Sequence, residues 1–326
     1  MTIAAVLMAY AAGVGTLGAG MLARAGWTAR APLLGIFTYL AAAWSVIAAV
    51  GLAGLTLAVH ATALGGALSQ LIGACVLRLR AVYATPGGAA VAGAGLALAG
   101  LVAIRTSFTA ASHLRVTRRQ ALRHARTARL VGRPVPALGA VLVAHSQPAA
   151  YCVAGRHPTV ILTTGALQAL APGQIDAVLA HERAHLAWHH HRLLAMARIG
   201  RRALPFLPLM RDAEAQVERL VELHADDAAT QSHDPGSLAA ALVVLAAAAA
   251  APSPVPAVAP GSAPVLASAA TDAVHRIHRL LRPAEPLDRP RRLVWQAVAA
   301  ALVLGPLVMA LAPAVLALAL GRVPHA

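Results

Sequence analysis

Five consecutive residues, His181-Glu182-Arg183-Ala184-His185, carry the strongest chemical signal in this chain. They sit in a run with helical periodicity, 174–198 (QIDAVLAHERAHLAWHHHRLLAMAR). Residues four apart on a helix share a face. His181 and His185 can therefore grip one metal ion through imidazole nitrogens at about 2.0–2.1 Å. Glu182 lies one step round the helix, where it can take a proton from water without ligating the ion. With 15 histidines and five glutamates in 326 residues, this motif arises by chance in about one such chain in 100, so it needs support from elsewhere.

The support is a second helical run, 212–230 (DAEAQVERLVELHADDAAT). Glu222 and Asp226 are four residues apart and share a face. A catalytic zinc takes three protein ligands and leaves one position for water, and Glu222 fits the third place. Asp226 fits beside it, accepting the remaining ring N–H of His181. Glu214 and Glu218 read as a solvated face. His189 continues the His181/His185 stripe; it reads as a helix cap or a residue in polar surroundings rather than a fourth ligand. His224 points away from the Glu222/Asp226 face and takes no role. Tyr151 and Cys152 read as core packing on a strand.

The elements that must position these side chains follow from composition. The chain is 59% hydrophobic and 12% charged, with a mean hydropathy of +0.67. Soluble domains average about 25% charged residues, so a purely soluble fold is not expected. Aromatic residues make up 3%, too few for a stacking platform that binds single-stranded nucleic acid, and no nucleic-acid partner is expected. Every basic residue among the 27 is Arg, and Asn is absent; this is GC-rich coding, expected of a bacterial genome. All 12 acids lie at or beyond Asp176, which concentrates them where the chemistry is. Cys75 and Cys152 form no Cys-x-x-Cys pair and read as free thiols.

Four apolar stretches reach the roughly 20 residues that cross a bilayer core: 3–23, 32–59, 85–104 and 293–320. Eight arginines (Arg105, Arg115, Arg118, Arg119, Arg123, Arg126, Arg129, Arg133) follow the third stretch. The positive-inside rule puts that side in the cytoplasm and the N-terminus outside. Arg78 and Arg80 then lie outside, and 62–80 reads as a surface or re-entrant segment on the outer face. Residues 1–104 thus hold three transmembrane helices. Residues 105–292 form one cytoplasmic domain. Residues 293–326 form a fourth transmembrane helix with a short outer tail. The domain opens with a basic helix-like stretch, 105–133, suited to anionic headgroups of the lipid bilayer. Strand-like runs follow at 139–145, 149–153 and 158–164, with turn signals at Gln147-Pro148 and Gly155-Arg156. An Ala-rich helix at 237–251, a Pro-rich connector at 252–265 and a short basic helix at 272–282 complete it. The expected fold class is a multi-pass α-helical membrane protein with a cytoplasmic α+β domain, mostly helical with a small β-sheet.

HERAH followed by Glu222-Leu223-His224-Ala225-Asp226 resembles the H-E-x-x-H … E-x-x-A-D pattern of integral-membrane zinc metallopeptidases, among them the HtpX-type and CAAX-protease groups. The preceding AAYCVAGRHPTVILTTGAL resembles the strand pair before the zinc helix of the BlaR/MecR group. That group also has three membrane helices, a cytoplasmic peptidase domain and a fourth helix. The resemblance implies a Zn²⁺-dependent endopeptidase with Glu182 as general base and a protein or peptide substrate. A transcriptional repressor is the substrate expected in a signalling role. It also implies that the 158–164 strand pairs with an extended substrate, and that Arg276 or His275 contacts the oxyanion or the substrate. The β-lactam sensors of the group carry a penicillin-binding domain after the fourth helix. This chain ends at Ala326 without one, so sensing through such a domain is not expected. Two other function classes stand beside the peptidase: a non-catalytic scaffold stabilised by zinc, and a transporter component. Against the transporter, the four stretches contain no ionisable residue, whereas intramembrane charges mark ion or substrate paths.

Overall fold

The computed structural model describes residues 2–62, 88–155, 158–250, 262–282 and 285–319. Most of 62–80, with Arg78 and Arg80, lies outside the described residues. So do the first part of the 252–265 connector and the last residues of the outer tail.

Four described helices are long and apolar enough to cross a membrane, over Ile3–Ala23, Pro32–Leu57, Ala90–Thr117 and Arg289–Ala312. The first begins as α1 (Thr2–Gly13), passes through a π-helical turn at Val14–Gly18 and continues as α2 (Ala19–Ala23). The Gly-rich sequence of that turn, VGTLG, accommodates the extra residue. The second is α3 (Pro32–Thr62), the central helix of the bundle, with α1, α4 and α11 packed around it. The third, α4 (Gly88–Val131), runs 44 residues without a break. The apolar stretch expected at 85–104 and the basic stretch 105–133 are thus one rod, about 66 Å long at 1.5 Å per residue. A Cβ on Gly54 would sit 2.6 Å from the Gly95 carbonyl oxygen and 2.8 Å from the Ala99 nitrogen. Only glycine lets α3 and α4 cross this closely. The fourth helix starts four residues earlier than expected, at Arg289.

A four-stranded sheet follows α4: β1 (Gly132–Val135), β2 (Ala140–Val143), β3 (Ala150–Val153) and β4 (Thr159–Thr163), in the order β1-β2-β4-β3. β2 and β4 pair in parallel, and the outer pairs are antiparallel. β4 is therefore an inner strand, with neighbours on both sides. The expectation that it receives an extended substrate is corrected here, because its backbone groups are already paired. The edge on its side of the sheet is β3.

The helices α5 (Thr164–Ala169), α6 (Pro172–Ala187), α7 (His190–Ala203), α8 (Pro208–Ala229), α9 (Pro235–Ala250) and α10 (Ser262–Leu281) then lead to α11 (Arg289–Ala319). One core surrounds the sheet, with Leu162, Val178, Leu179 and Leu238 at its centre. A second core joins the long apolar helices to α7 and α8: Leu7, Ile36, Tyr39 and Val46 share it with Leu209, Val217, Leu220 and Leu223. The helix that carries Glu222 and Asp226, α8, is thus packed against the apolar bundle.

Candidate metal centre

The sheet presents α6. At the end of β4, Thr163 Oγ1 accepts from the Ala166 and Ala149 backbone N–H groups and donates to the Gln147 carbonyl, which turns the chain into α5. A Cβ on Gly165 would collide with the Ser146 carbonyl oxygen, so this turn requires glycine. The next helix, α6, starts with Pro172 at its first position, where the missing N–H costs nothing. The Ala171 N–H donates to Gln174 Oε1. Arg183 Nη2 then donates to the Leu138 carbonyl at 2.6 Å, tying the far face of α6 to the β1–β2 turn.

On the near face, His181 Nε2 and His185 Nε2 are 3.1 Å apart. From α8, Glu222 reaches both, with Oε2 at 3.5 Å from His181 Nε2 and Oε1 at 3.4 Å from His185 Nε2. One ligand atom from each of the three residues lies within 4.8 Å of the others, so the group could hold a metal ion. The donor set itself supports the fit. Two imidazole nitrogens and a carboxylate oxygen, aimed at one point, suit a zinc-like cation.

Asp226, fully buried on α8, lies behind His181. Its Oδ1 is 2.9 Å from His181 Nδ1, although that nitrogen is not aligned for a hydrogen bond. Arg276 from α10 grips the same carboxylate with two donors, Nε to Oδ2 at 2.8 Å and Nη2 to Oδ1 at 2.7 Å. Its Nη1 is 2.9 Å from Glu222 Oε2, and Nη2 is 3.5 Å from His181 Nε2. Arg276 thus joins Glu222 and Asp226 of α8 and borders the ligand point. One turn on, Arg279 pairs with Asp227 at 2.7 Å and donates to the Ala29 carbonyl at 3.0 Å, anchoring α10 to the turn between the first two long apolar helices.

These contacts set the charge states. Burial works against a charged His181, but the adjoining Asp226 and Glu222 carboxylates outweigh that and raise its pKa to about 9. His185 is pushed down to about 4, first by burial. Glu222 is held at about 2: desolvation would raise it, but His181 and Arg276 prevail. Asp226 is lowered despite its burial, by Arg276 and His181. Burial raises Glu182, so this carboxyl binds a proton more readily than an exposed one. Its neighbour Cys152, on edge strand β3, is pushed up to about 12 by burial and by the Glu182 charge.

His181, Glu182, His185, Glu222, Asp226 and Arg276 therefore come together. His275 does not; it is exposed on α10. His189 is exposed too, and it does not continue the stripe, because the run 174–198 is two helices rather than one. After α6 ends, His189 takes a left-handed conformation, φ 52° and ψ 39°, and α7 begins at the next residue. The break turns His190 inwards. Its ring is 1% exposed and bridges His185 Nδ1 at 2.8 Å and His224 Nδ1 at 3.0 Å. Sequence reasoning missed His190 and left His224 without a role. The one available signal was the triple-histidine run directly after the motif. Glu214 and Glu218 pair with Arg198 and Arg201 on a partly exposed face, away from the ligand point.

Residues 114–209 match the model of peptidase family M48. The matched segment is less than a third of the chain; it includes β1–β4, α6 and α7, and stops before Glu222. It supports a metallopeptidase of that family, whose members are generally zinc-dependent, and it does not distinguish the BlaR/MecR-type or HtpX-type groups. No curated protein and no solved structure matches the chain.

Proposed function

We propose that this chain is a membrane-embedded, zinc-dependent endopeptidase that cleaves a protein substrate at the cytoplasmic face. The observation that carries the reading is the meeting of His181, His185 and Glu222 at one point, with Glu182 next in sequence on the same helix. His181, His185 and Glu222 would hold Zn²⁺. When bound, the ion polarises the scissile carbonyl and makes water a better acid.

The chain's own residues do the rest. Glu182 takes the proton of the attacking water and returns it to the leaving amine. Its raised proton affinity suits both halves of that task. Asp226 and Arg276 fix the His181 ring and the Glu222 carboxylate, so the ligand atoms converge before the ion arrives. Arg276, with Nη2 bordering the ligand point, is also placed to meet negative charge developing on the carbonyl oxygen. Among the described residues β3 pairs with β4 alone, and its outer edge, beside Glu182, offers an extended substrate backbone its pairing partners.

Four apolar helices and the arginines after the third support a cell-membrane protein with its site on the inner side. Placement in the BlaR/MecR-type group, a regulatory role and a repressor-like substrate belong to this proposal. Comparative proteomics of cells carrying the wild type or Glu182→Gln tests it. Peptide termini that appear only with the wild type name the substrate. Identical proteomes would favour the scaffold reading and overturn the enzyme.

A further inference from the structure

The three imidazoles His185, His190 and His224 form a continuous hydrogen-bonded chain that starts at the ligand point and ends beside Trp188. His190 Nδ1 faces His185 Nδ1 at 2.8 Å, and His190 Nε2 faces His224 Nδ1 at 3.0 Å. The Trp188 ring meets the His224 ring edge-on, with centroids 4.9 Å apart. The chain spans three elements: His185 is on α6, His190 opens α7 and His224 is on α8. Only Trp188 and the left-handed His189 separate α6 from α7, and the left-handed residue is what aims the buried His190 back towards α6.

We propose that His190 and His224 are positioning residues for the metal ligand His185, fixing its ring orientation and the nitrogen that carries its proton. The inference rests on the metal-site reading above. The logic is directional. A neutral imidazole has one N–H and one bare nitrogen. To bind an ion, His185 must present a bare Nε2, so its proton sits on Nδ1 and donates to His190 Nδ1. His190 is then bare at Nδ1 and carries its proton on Nε2, which donates to His224 Nδ1. The last proton lies on His224 Nε2. Reversing any one ring sets two N–H groups or two lone pairs against each other at about 3 Å. A reversed His190 would drive the His185 proton onto Nε2, the nitrogen needed for the ion. Metal-bound histidines commonly donate their second N–H to a carboxylate or a backbone carbonyl. His181 has Asp226 on that side; His185 has this histidine chain instead. The two ligands of one motif are thus supported by different chemistries, one ionic and one neutral.

The test uses full-length protein in detergent micelles, stripped of metal and titrated with Zn²⁺ against a chelating indicator and with Co²⁺ for its visible spectrum. His190→Leu keeps the bulk and removes both polar ends. It should weaken Zn²⁺ binding by about ten- to hundred-fold and alter the Co²⁺ bands. His190→Gln, whose carbonyl accepts and whose amide donates, should bind within about threefold of the wild type, inside the range that such support normally controls. His224→Leu should fall between the two and provides the test if His190→Leu does not fold; thermal unfolding of each metal-free variant separates folding from binding. Wild-type affinity and an unchanged Co²⁺ spectrum in a folded Leu variant would overturn the inference, as would a Gln variant no better than Leu. A wild type that binds no ion at all would instead overturn the metal-site reading, and this inference with it.

Discussion

The metal-free site holds a proton where an ion would bind, and this makes metal uptake depend on pH in a calculable way. With its pKa at about 9, His181 is bare in about one molecule in a hundred at pH 7. His185, at about 4, and Glu222, at about 2, are already free of protons there. Binding one ion at pH 7 should therefore release about one proton, and apparent affinity should rise about tenfold per pH unit until it flattens above about pH 9. The total gain from pH 7 to the plateau is about a hundredfold. Asp226→Asn removes the carboxylate that does most to hold this proton. The slope between pH 7 and 8 should shrink, while loss of ring support lowers the plateau affinity by about ten- to hundred-fold. The assay is indicator competition for Zn²⁺ at pH 6.5 to 9, read as slopes against pH, with proton release followed by a dye in weak buffer. Affinity that is flat from pH 7 to 9, or uptake without proton release, would refute the reasoning. The same shift acts on the metal-free fold. The protonated His181 contributes stability that is fully present below about pH 6.5 and is lost as the pH rises through about 9.

Three further outcomes are expected. Glu182→Gln should keep stoichiometric metal and lose at least about a hundredfold in cleavage rate, measured on any substrate that the proteomic comparison identifies. His189→Gly should leave metal affinity unchanged and not lower the thermal unfolding temperature, because the position is left-handed and the side chain exposed; a loss of metal would contradict this placement of His189 outside the ligand set. Gly165→Ala should destabilise the protein by about 1–3 kcal/mol, seen as a lower unfolding midpoint, since the added methyl meets the Ser146 carbonyl.

The parts legible in the sequence were those encoded locally. The four long apolar helices follow from unbroken hydropathy. The His181/His185 and Glu222/Asp226 pairs follow from i,i+4 spacing, which fixes a common face whatever the tertiary fold. Three of the strands were legible as short β-branched runs. β1 was not, because Arg133-Pro134-Val135-Pro136 reads as a breaker; it forms as an edge strand, where a missing N–H is tolerated. His190 was hidden for a different reason. Carrying the helical period through 174–198 puts His189 on the active stripe, whereas a single left-handed residue, without a glycine to announce it, resets the register. The shared core was also illegible. Nothing local in Leu204-Pro205-Phe206-Leu207-Pro208 says that this turn packs on the first apolar helix, yet a Cβ on Gly15 would lie 3.3 Å from the Leu207 side chain.

The most direct measurement is zinc K-edge X-ray absorption on the full-length protein loaded with one equivalent of Zn²⁺. The account predicts one ion per chain, with only nitrogen and oxygen neighbours at about 2.0–2.1 Å, two of them imidazoles, and loss of the ordered shell in His181→Ala, His185→Ala and Glu222→Ala. A sulfur neighbour at about 2.3 Å, or an ion whose surroundings are unchanged by those three substitutions, would contradict it.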